Sequence, residues 1–568
     1  MRDMKIRRPD SMPTRAAAPS AVRRLTPPIA ASVDQLILVA SAYWSLALNR
    51  GLLQAAIRQR GVDDLAAWGF LGAMLLIVFL VHLLLLAALA HRRTVKPLLV
   101  ALTVAAAVGA HFVEAFGVVL DPTMLRNAWR TDLAEARELL SPALLLDTAL
   151  LGGLPLALLA RTRIVDRPWR RALRARLLLG VVALLALIGT VWSVYQPLSS
   201  WMRQQREVRY LITPANLVWS AASVLVSDAR SAARPRQPIG TDAVAGPSWA
   251  ARTRPTVLVL VVGETVRAAN WGLAGYARQT TPQLARLPVV GFNPVESCGT
   301  NTETSLPCMF APVGRRDYDE ARIRGSESLL HVLARAGAGV HWRDNQSGCK
   351  GVCDGLPTQT VTGTDAPGLC EGERCLDEAL IADLDRRLEG ATGTQVWVLH
   401  MLGNHGPSYF RRHPSGFAPF QPECRDDDLR RCSVDEIVNA YDNAVAYTDH
   451  VLSTAIARLQ RRAGQVDSAL LFVSDHGESL GEHGLFLHGL PYRIAPREQT
   501  RVPMLWWSSP GFDRAAGLRE GCLLPELRRR AAEQLSHDHL FHTVLGVLDV
   551  RTALREPALD LSSGCRAG

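Results

Sequence analysis

Apolar residues follow two different rhythms along this chain. Up to residue 200 they form five long runs, near 33–53, 68–90, 97–120, 142–160 and 177–197. Each is close to the roughly 20 residues that an α-helix needs to cross the hydrocarbon of a bilayer. Beyond residue 255 the runs shorten and become β-branched, in Thr256–Val262, Gln395–Leu399 and Ser468–Val473, with helical stretches such as Val434–Leu459 between them. Strands alternating with helices predict an α/β domain around a central, mostly parallel sheet. The chain therefore divides into a tail (1–30), an α-helical transmembrane domain of five spans (31–200), interfacial helices and a linker (201–254), and the α/β domain (255–568). Within the third of these, the Arg-, Ala-, Pro-, Gly- and Ser-rich stretch 227–254 reads as the linker.

Charge refines this picture. The tail carries Arg2, Lys5, Arg7, Arg8, Arg15, Arg23 and Arg24 among Pro and Ala, and reads as a disordered basic segment without the apolar core and cleavage site of a signal peptide. The net charge of +10 does not point to nucleic acid, because many of the cations flank the apolar runs, where they set topology. The tail, the link His91–Lys96 and the stretch Arg161–Arg176 with its seven arginines all fall on one side. The positive-inside rule places that side, and the N-terminus, in the cytoplasm, so five crossings deliver the α/β domain to the periplasm. Cysteine usage agrees independently. All ten cysteines lie at or beyond Cys298, in the close pairs Cys298/Cys308, Cys349/Cys353, Cys370/Cys375 and Cys424/Cys432 and the distant pair Cys522/Cys565. An even count suggests disulfides in an oxidising compartment, while the spacing does not supply the grouped thiolates of a zinc cluster. Nearest-neighbour pairing is the simplest arrangement, although sequence does not determine connectivity.

The candidate chemistry sits where the β-branched runs end. The first leads into Gly263-Glu264-Thr265, the second into His400-Met401-Leu402-Gly403-Asn404-His405-Gly406-Pro407, and the third into Ser474-Asp475-His476-Gly477-Glu478. Ligands of open α/β sheets collect at the carboxyl ends of strands. There Glu264, Asp475 and His476 form a carboxylate and imidazole set suited to zinc. The stretch Cys298–Phe310 adds Thr300, Thr302, Thr304 and Ser305 between two cysteines and ahead of a possible helix start, an environment that favours phosphate. Local chemistry alone does not separate these four hydroxyls. His483 and His488 offer more imidazole nearby, and Lys350 a point charge. In the membrane half, Asn127, Thr131 and Glu135 recur every four residues, on one face of a continuous helix, where they would hold an amine headgroup or simply meet solvent. His111 and Glu114, near the outer end of the third run, read as solvated at headgroup level.

These residues resemble the lipid A phosphoethanolamine transferases, membrane enzymes of the alkaline phosphatase superfamily associated with polymyxin resistance. The resemblance covers nearly the whole chain. It is carried by Val262-Gly263-Glu264-Thr265, by Cys298-Gly299-Thr300-Asn301-Thr302 through Pro307-Cys308-Met309-Phe310, by Gly403–Pro407, by Ala440-Tyr441-Asp442-Asn443 and by Ser474–Glu482. It implies an alkaline-phosphatase/sulfatase-like fold for the α/β domain. It also implies Thr302 as nucleophile, with Glu264, Thr302, Asp475 and His476 as ligands of one tightly held zinc. His405 and His488 then match catalytic positions that bind a second zinc or the phosphate, Lys350 and His400 match substrate contacts, and Asn127, Thr131 and Glu135 match a headgroup site. A Cys298–Cys308 bridge would fix the loop so that Thr302 meets the metal. The implied donor is phosphatidylethanolamine and the acceptor lipid A of lipopolysaccharide. The implied setting is a monomer among inner-membrane lipids. Two features depart from the family: His483 stands where members often have Asn, and the basic tail is not shared.

Alternatives within this chemistry change only the acceptor, to a core sugar of lipopolysaccharide, a periplasmic glucan or a protein. A sulfatase would need Cys or Ser in a Cys-X-Pro-X-Arg setting, which Thr302 lacks. A non-catalytic membrane sensor or scaffold would have lost a ligand or the nucleophile, and every matching position is filled. A transporter is disfavoured by five runs without visible repeats.

Overall fold

The computed structural model describes residues 29–566 apart from 132, 233–234, 293 and 373, so the basic tail before residue 29 lies outside the described residues. Four helices among these are long and apolar enough to cross a membrane: Leu65–Leu89, Val95–Phe116, Pro142–Ala160 and Trp169–Ser193. The first apolar run is a bent pair, Val33–Ala47 and Arg50–Arg60, with 52° between its halves, and taken as one span it brings the count to the five expected. Its second half carries three arginines and buries only Leu52 and Ala56. Asn49 fixes the bend by donating to the carbonyls of Trp44 and Thr213, at 2.8 and 2.7 Å.

The α/β half is built on a seven-stranded sheet, numbered here in chain order: β1 Thr256–Gly263, β2 Val290–Gly291, β3 Gly339–Asp344, β4 Thr358–Thr360, β5 Thr394–His400, β6 Asp467–Ser474 and β7 Met504–Ser508. The spatial order is β2-β7-β6-β1-β5-β3-β4, and only β7 and β2 run antiparallel to their neighbours. The three β-branched runs are the adjacent strands β6, β1 and β5 at its centre. All eight residues of β1 and of β6 are buried, as expected for strands covered on both faces. One apolar core lies on each face of the sheet, and the helix Val434–Arg461 closes one of them. The ten cysteines form the five expected disulfides, Cys298–Cys308, Cys349–Cys353, Cys370–Cys375, Cys424–Cys432 and Cys522–Cys565.

Two features between the halves differ from the sequence reading. The helix Ala215–Ala232 runs into the stretch read as linker, and the part of that stretch from residue 244 on is docked rather than loose. Val244–Ala245 pairs with Val550–Arg551, and the Trp249 indole donates to the Leu548 carbonyl at 2.6 Å. The halves also share a core, because Phe116, Val118 and Leu120 at the end of the second long helix pack with Leu487 and Tyr409 of the α/β domain. This contact sets the carboxyl edge of the sheet against the membrane half.

Candidate active site and metal centre

Strand register brings the candidate ligands together. β6 and β1 are parallel, with Ser474 opposite Gly263, so the next residues, Asp475 and Glu264, leave adjacent strands side by side. Neighbouring strands lie about 4.8 Å apart. One donor atom from each of Glu264, Asp475 and His476 falls within 4.8 Å of the others, and all three side chains are fully buried. Gly403 presses the loop after β5 onto this point. Its φ is +55°, and a Cβ there would sit 2.5 Å from the Glu264 carbonyl oxygen, so both the backbone conformation and the space call for glycine.

The helix Thr302–Met309 starts at the same place. Asn301 caps it, accepting the Thr304 N–H at 2.9 Å, and Thr302 is the first helical residue. Its hydroxyl donates to Glu264 Oε2 at 2.8 Å and lies 3.4 Å from His476 Nε2. Geometry thus separates the four hydroxyls. Thr300 donates to the Leu490 carbonyl at 2.6 Å, Ser305 to the Asp475 carbonyl at 2.5 Å, and Thr304 is half-buried where Thr302 is buried. Beneath the Cys298–Cys308 bridge, His537 accepts the Cys298 N–H at Nδ1, 3.0 Å, and donates from Nε2 to the Ser474 carbonyl, 3.0 Å. It ties the hydroxyl loop to the end of β6.

The electrostatics ask for a cation. Burial alone would push both carboxyls up, but the His476 charge and hydrogen bond hold Glu264 well below the usual range. Burial and the Glu264 charge push Asp475 up, and His476 rises, against burial, because Asp475 and Glu264 surround it. Glu264 Oε1 and Asp475 Oδ2 are buried, and each faces the same imidazole nitrogen, His476 Nε2, at 3.2 and 3.5 Å without a well-formed hydrogen bond of its own. Orphaned carboxylate oxygens are costly, and here they converge with an imidazole whose Nδ1 already lies 3.0 Å from the Gly477 carbonyl, leaving Nε2 turned inward. The donor set fits zinc.

The other expected residues fall in two groups. His405 and His488 join the centre: the His488 ring is 4.5 Å from that of His476 and 5.3 Å from that of His405. Burial lowers the His488 pKa. Its Nδ1–H donates to Glu478 Oε2 at 3.0 Å, and the Tyr409 hydroxyl donates to the other Glu478 oxygen at 2.9 Å. His400 lies deeper, fully buried, with Nδ1 on Asp344 Oδ1 at 2.7 Å. Lys350 is turned to Ser347, 2.6 Å from its hydroxyl oxygen. Gln346, which no spacing pointed to, donates to Glu264 Oε2 at 2.9 Å. His483 is exposed at φ +55°; Asn favours this left-handed conformation, so the difference at this position has a backbone reason.

The membrane-half segment lies over this centre, but not as one helix. Pro122–Arg130 ends at Thr131, whose extended conformation (ψ 130°) breaks it before a second helix, Leu133–Glu138. Asn127 and Thr131 therefore share a turn, with the Thr131 hydroxyl donating to the Asn127 carbonyl at 3.0 Å. Glu135 belongs to the second helix, and its side chain lies outside the described residues. Beneath the segment, Arg130 meets the fully buried Glu303, the residue after Thr302. His111 is buried against Asp147 at 2.7 Å rather than solvated.

Comparison with known proteins covers both halves. The family profile described as sulfatase matches residues 256–550, and that of the phosphoethanolamine transferases EptA/EptB matches residues 78–229. The chain is 34% identical to phosphoethanolamine transferase EptA of Escherichia coli K12 over 93% of this chain and 96% of that protein. It is 35% identical to phosphatidylethanolamine transferase Mcr-1 of Escherichia coli, over 84% of this chain and 87% of that one. The solved structure of the integral membrane lipooligosaccharide phosphoethanolamine transferase A of Neisseria meningitidis superposes with a TM-score of 0.89 at 36% identity, over 95% of this chain and 100% of that chain.

Proposed function

The chain belongs to the phosphoethanolamine transferase family, and from that premise we propose that it moves phosphoethanolamine from phosphatidylethanolamine to a phosphate of lipid A through a phosphothreonine on Thr302. The observation that carries this reading is the 2.8 Å hydrogen bond from the Thr302 hydroxyl to Glu264, at a helix start beside Asp475 and His476.

Glu264, Thr302, Asp475 and His476 are the zinc ligands in this reading, and His405 and His488 hold a second zinc or the phosphate. Zinc, when bound, supplies the positive charge that lowers the hydroxyl pKa and stabilises phosphoryl oxygens. The chain's own residues do the rest. Glu264 orients the Thr302 hydroxyl, whose oxygen bonds to phosphorus as the bond from phosphorus to the diacylglycerol oxygen breaks. The hydroxyl proton finishes on that departing oxygen. Where no second zinc is bound, His488 is suited to carry it: burial favours the neutral ring, with Nδ1–H on Glu478, so Nε2 can accept a proton and readily release it. In the second half-reaction a lipid A phosphate oxygen attacks phosphorus, the bond to Thr302 breaks, and Thr302 recovers a proton. Asn127, Thr131 and Glu135 hold the ethanolamine headgroup, with Lys350 and His400 on the substrate side.

The enzyme works as a monomer in the bacterial inner membrane, N-terminus in the cytoplasm and catalytic domain in the periplasm. Capping an anionic phosphate with an amine lowers surface charge and weakens binding of cationic peptides such as polymyxin. The test is the lipid A mass spectrum of cells expressing the wild type or Thr302→Ala. Phosphoethanolamine-modified lipid A should appear only with the wild type. Consumption of phosphatidylethanolamine with unmodified lipid A would move the acceptor to a core sugar, a glucan or a protein.

A further inference from the structure

The segment between the second and third long helices ends at Glu138, and this carboxylate is buried in the catalytic domain. The Glu138 side chain is 3% exposed and that of Arg412, its partner, 2%. Arg412 meets it with both terminal nitrogens, Nη1 at 3.2 Å from Oε1 and Nη2 at 2.5 Å from Oε2. This is the two-point geometry that suits guanidinium to carboxylate. Arg374, on the hairpin closed by the Cys370–Cys375 bridge, lands on the same carboxylate. The remaining donor of Arg412, Nε, reaches the His405 carbonyl at 2.7 Å. A line of contacts therefore runs from the membrane half through Glu138 and Arg412 to the main chain of His405, whose ring lies 5.3 Å from His488.

Stability is a poor reason for this arrangement. Removing an ion pair from water costs several kcal/mol per ion and roughly cancels the attraction gained, so a buried pair adds little to stability over apolar residues of the same shape. What a forked, fully buried pair does supply is fixed geometry. It also comes from a distance, because Glu138 lies 274 residues before Arg412 and in the segment that carries Asn127 and Thr131. Earlier in that segment, at the end of the helix Pro122–Arg130, Arg130 grips Glu303 beside Thr302.

We propose that Glu138 is a positioning residue for the transfer reaction: from the membrane half it holds Arg412, and through Arg412 it sets the His405 loop relative to Thr302 and the donor headgroup. This rests on the functional reading above. Neutralising the carboxylate leaves two guanidinium groups without the anion they share, and the His405 loop shifts. Misplacement of a reacting group by about 1 Å costs on the order of 100-fold in rate.

The test uses the full-length protein in lipid nanodiscs with a fluorescent phosphatidylethanolamine, following diacylglycerol release. Glu138→Gln should lower kcat about 10-fold to 100-fold with KM within about threefold, because the transition state rather than the donor loses its support. Glu138→Asp, which keeps the charge, should recover part of the loss. A Glu138→Gln enzyme with kcat within about twofold of wild type, or one altered in KM alone, would overturn the proposal. If that variant does not fold, Arg412→Lys decides: it keeps a cation for Glu138 but loses the fork to His405, and the same fall in kcat is expected, an unchanged kcat again overturning it. A wild type that releases no diacylglycerol would overturn the functional reading and this proposal together, whereas an active wild type with indifferent variants sinks this proposal alone.

Discussion

His537 offers the sharpest test of how the site is assembled. It is fully buried and uses both ring nitrogens on backbone, accepting from Cys298 and donating to Ser474. Replacement by Ala leaves an N–H and a carbonyl unpaired in the interior, at about 1–3 kcal/mol each, and removes a packed ring. The expected loss is about 3–5 kcal/mol, or roughly 6–10 °C in apparent melting temperature if a domain of this size moves about 2 °C per kcal/mol. Burial also pushes the His537 pKa down to about 3. A depressed histidine is neutral when folded and takes up a proton on unfolding, so its contribution is fully present above pH 6.5 and is lost as pH falls toward the folded value. Each unit of that window is worth about 1.4 kcal/mol, so about 2 kcal/mol disappears between pH 6.5 and 5. Scanning fluorimetry of the full-length protein from pH 8 to 4.5 should show a steeper acid limb for the wild type than for His537→Asn, which keeps an acceptor but cannot titrate. A His537→Ala protein melting within about 2 °C of wild type at pH 7.5, or wild type and Asn variant with parallel limbs, would refute the assignment of His537 as the tie between the hydroxyl loop and β6.

Gly403→Ala should displace Glu264 as well as destabilise the loop. The left-handed backbone costs an alanine about 1–2 kcal/mol, and its Cβ would press the Glu264 carbonyl from 2.5 Å. Zinc content by elemental analysis should fall along with turnover, and full zinc occupancy would count against the close approach inferred here. Chelation provides an independent check on the metal. A ligand present at 1,000 times its Kd adds about 4 kcal/mol to stability, so stripping zinc should lower the melting temperature by about 8 °C, abolish diacylglycerol release, and be reversed by added zinc. Unchanged melting and turnover after chelation would remove zinc from the account.

The legible parts of this protein were those written in local periodicity. The β-branched runs at Thr256, Gln395 and Ser468 marked the three central strands, and because they are parallel neighbours, the residues just past their ends had to meet. Cysteine proximity gave four of the disulfides for the same local reason, and the fifth, Cys522–Cys565, joins the two cysteines left over. What sequence could not separate were the hydroxyls of Thr300, Thr302, Thr304 and Ser305, because what tells them apart is their partners elsewhere in the chain: Leu490 for Thr300, Glu264 for Thr302 and Asp475 for Ser305, at 190, 38 and 170 residues. Gln346, His537, Arg412 and Glu138 were invisible on the same ground: none stands in a spacing that signals its partner, and each has a partner 82 to 274 residues away. The expectation of one helix through Asn127, Thr131 and Glu135 failed because intervals of four describe a helix only where the backbone stays helical, and it leaves that conformation at Thr131. The first span bends for a reason that hydropathy averages conceal, since Asn49 bonds across to Thr213 just where the arginines begin.

The central claim is that Thr302 carries the phosphoethanolamine group during transfer. The most direct measurement is mass spectrometry of the full-length protein after incubation with phosphatidylethanolamine and no acceptor, with peptide mapping of any adduct. The account predicts a phosphoethanolamine adduct confined to the peptide containing Thr302, absent in Thr302→Ala and discharged when lipid A is added. An adduct that persists in Thr302→Ala, or that maps to another residue, would contradict it.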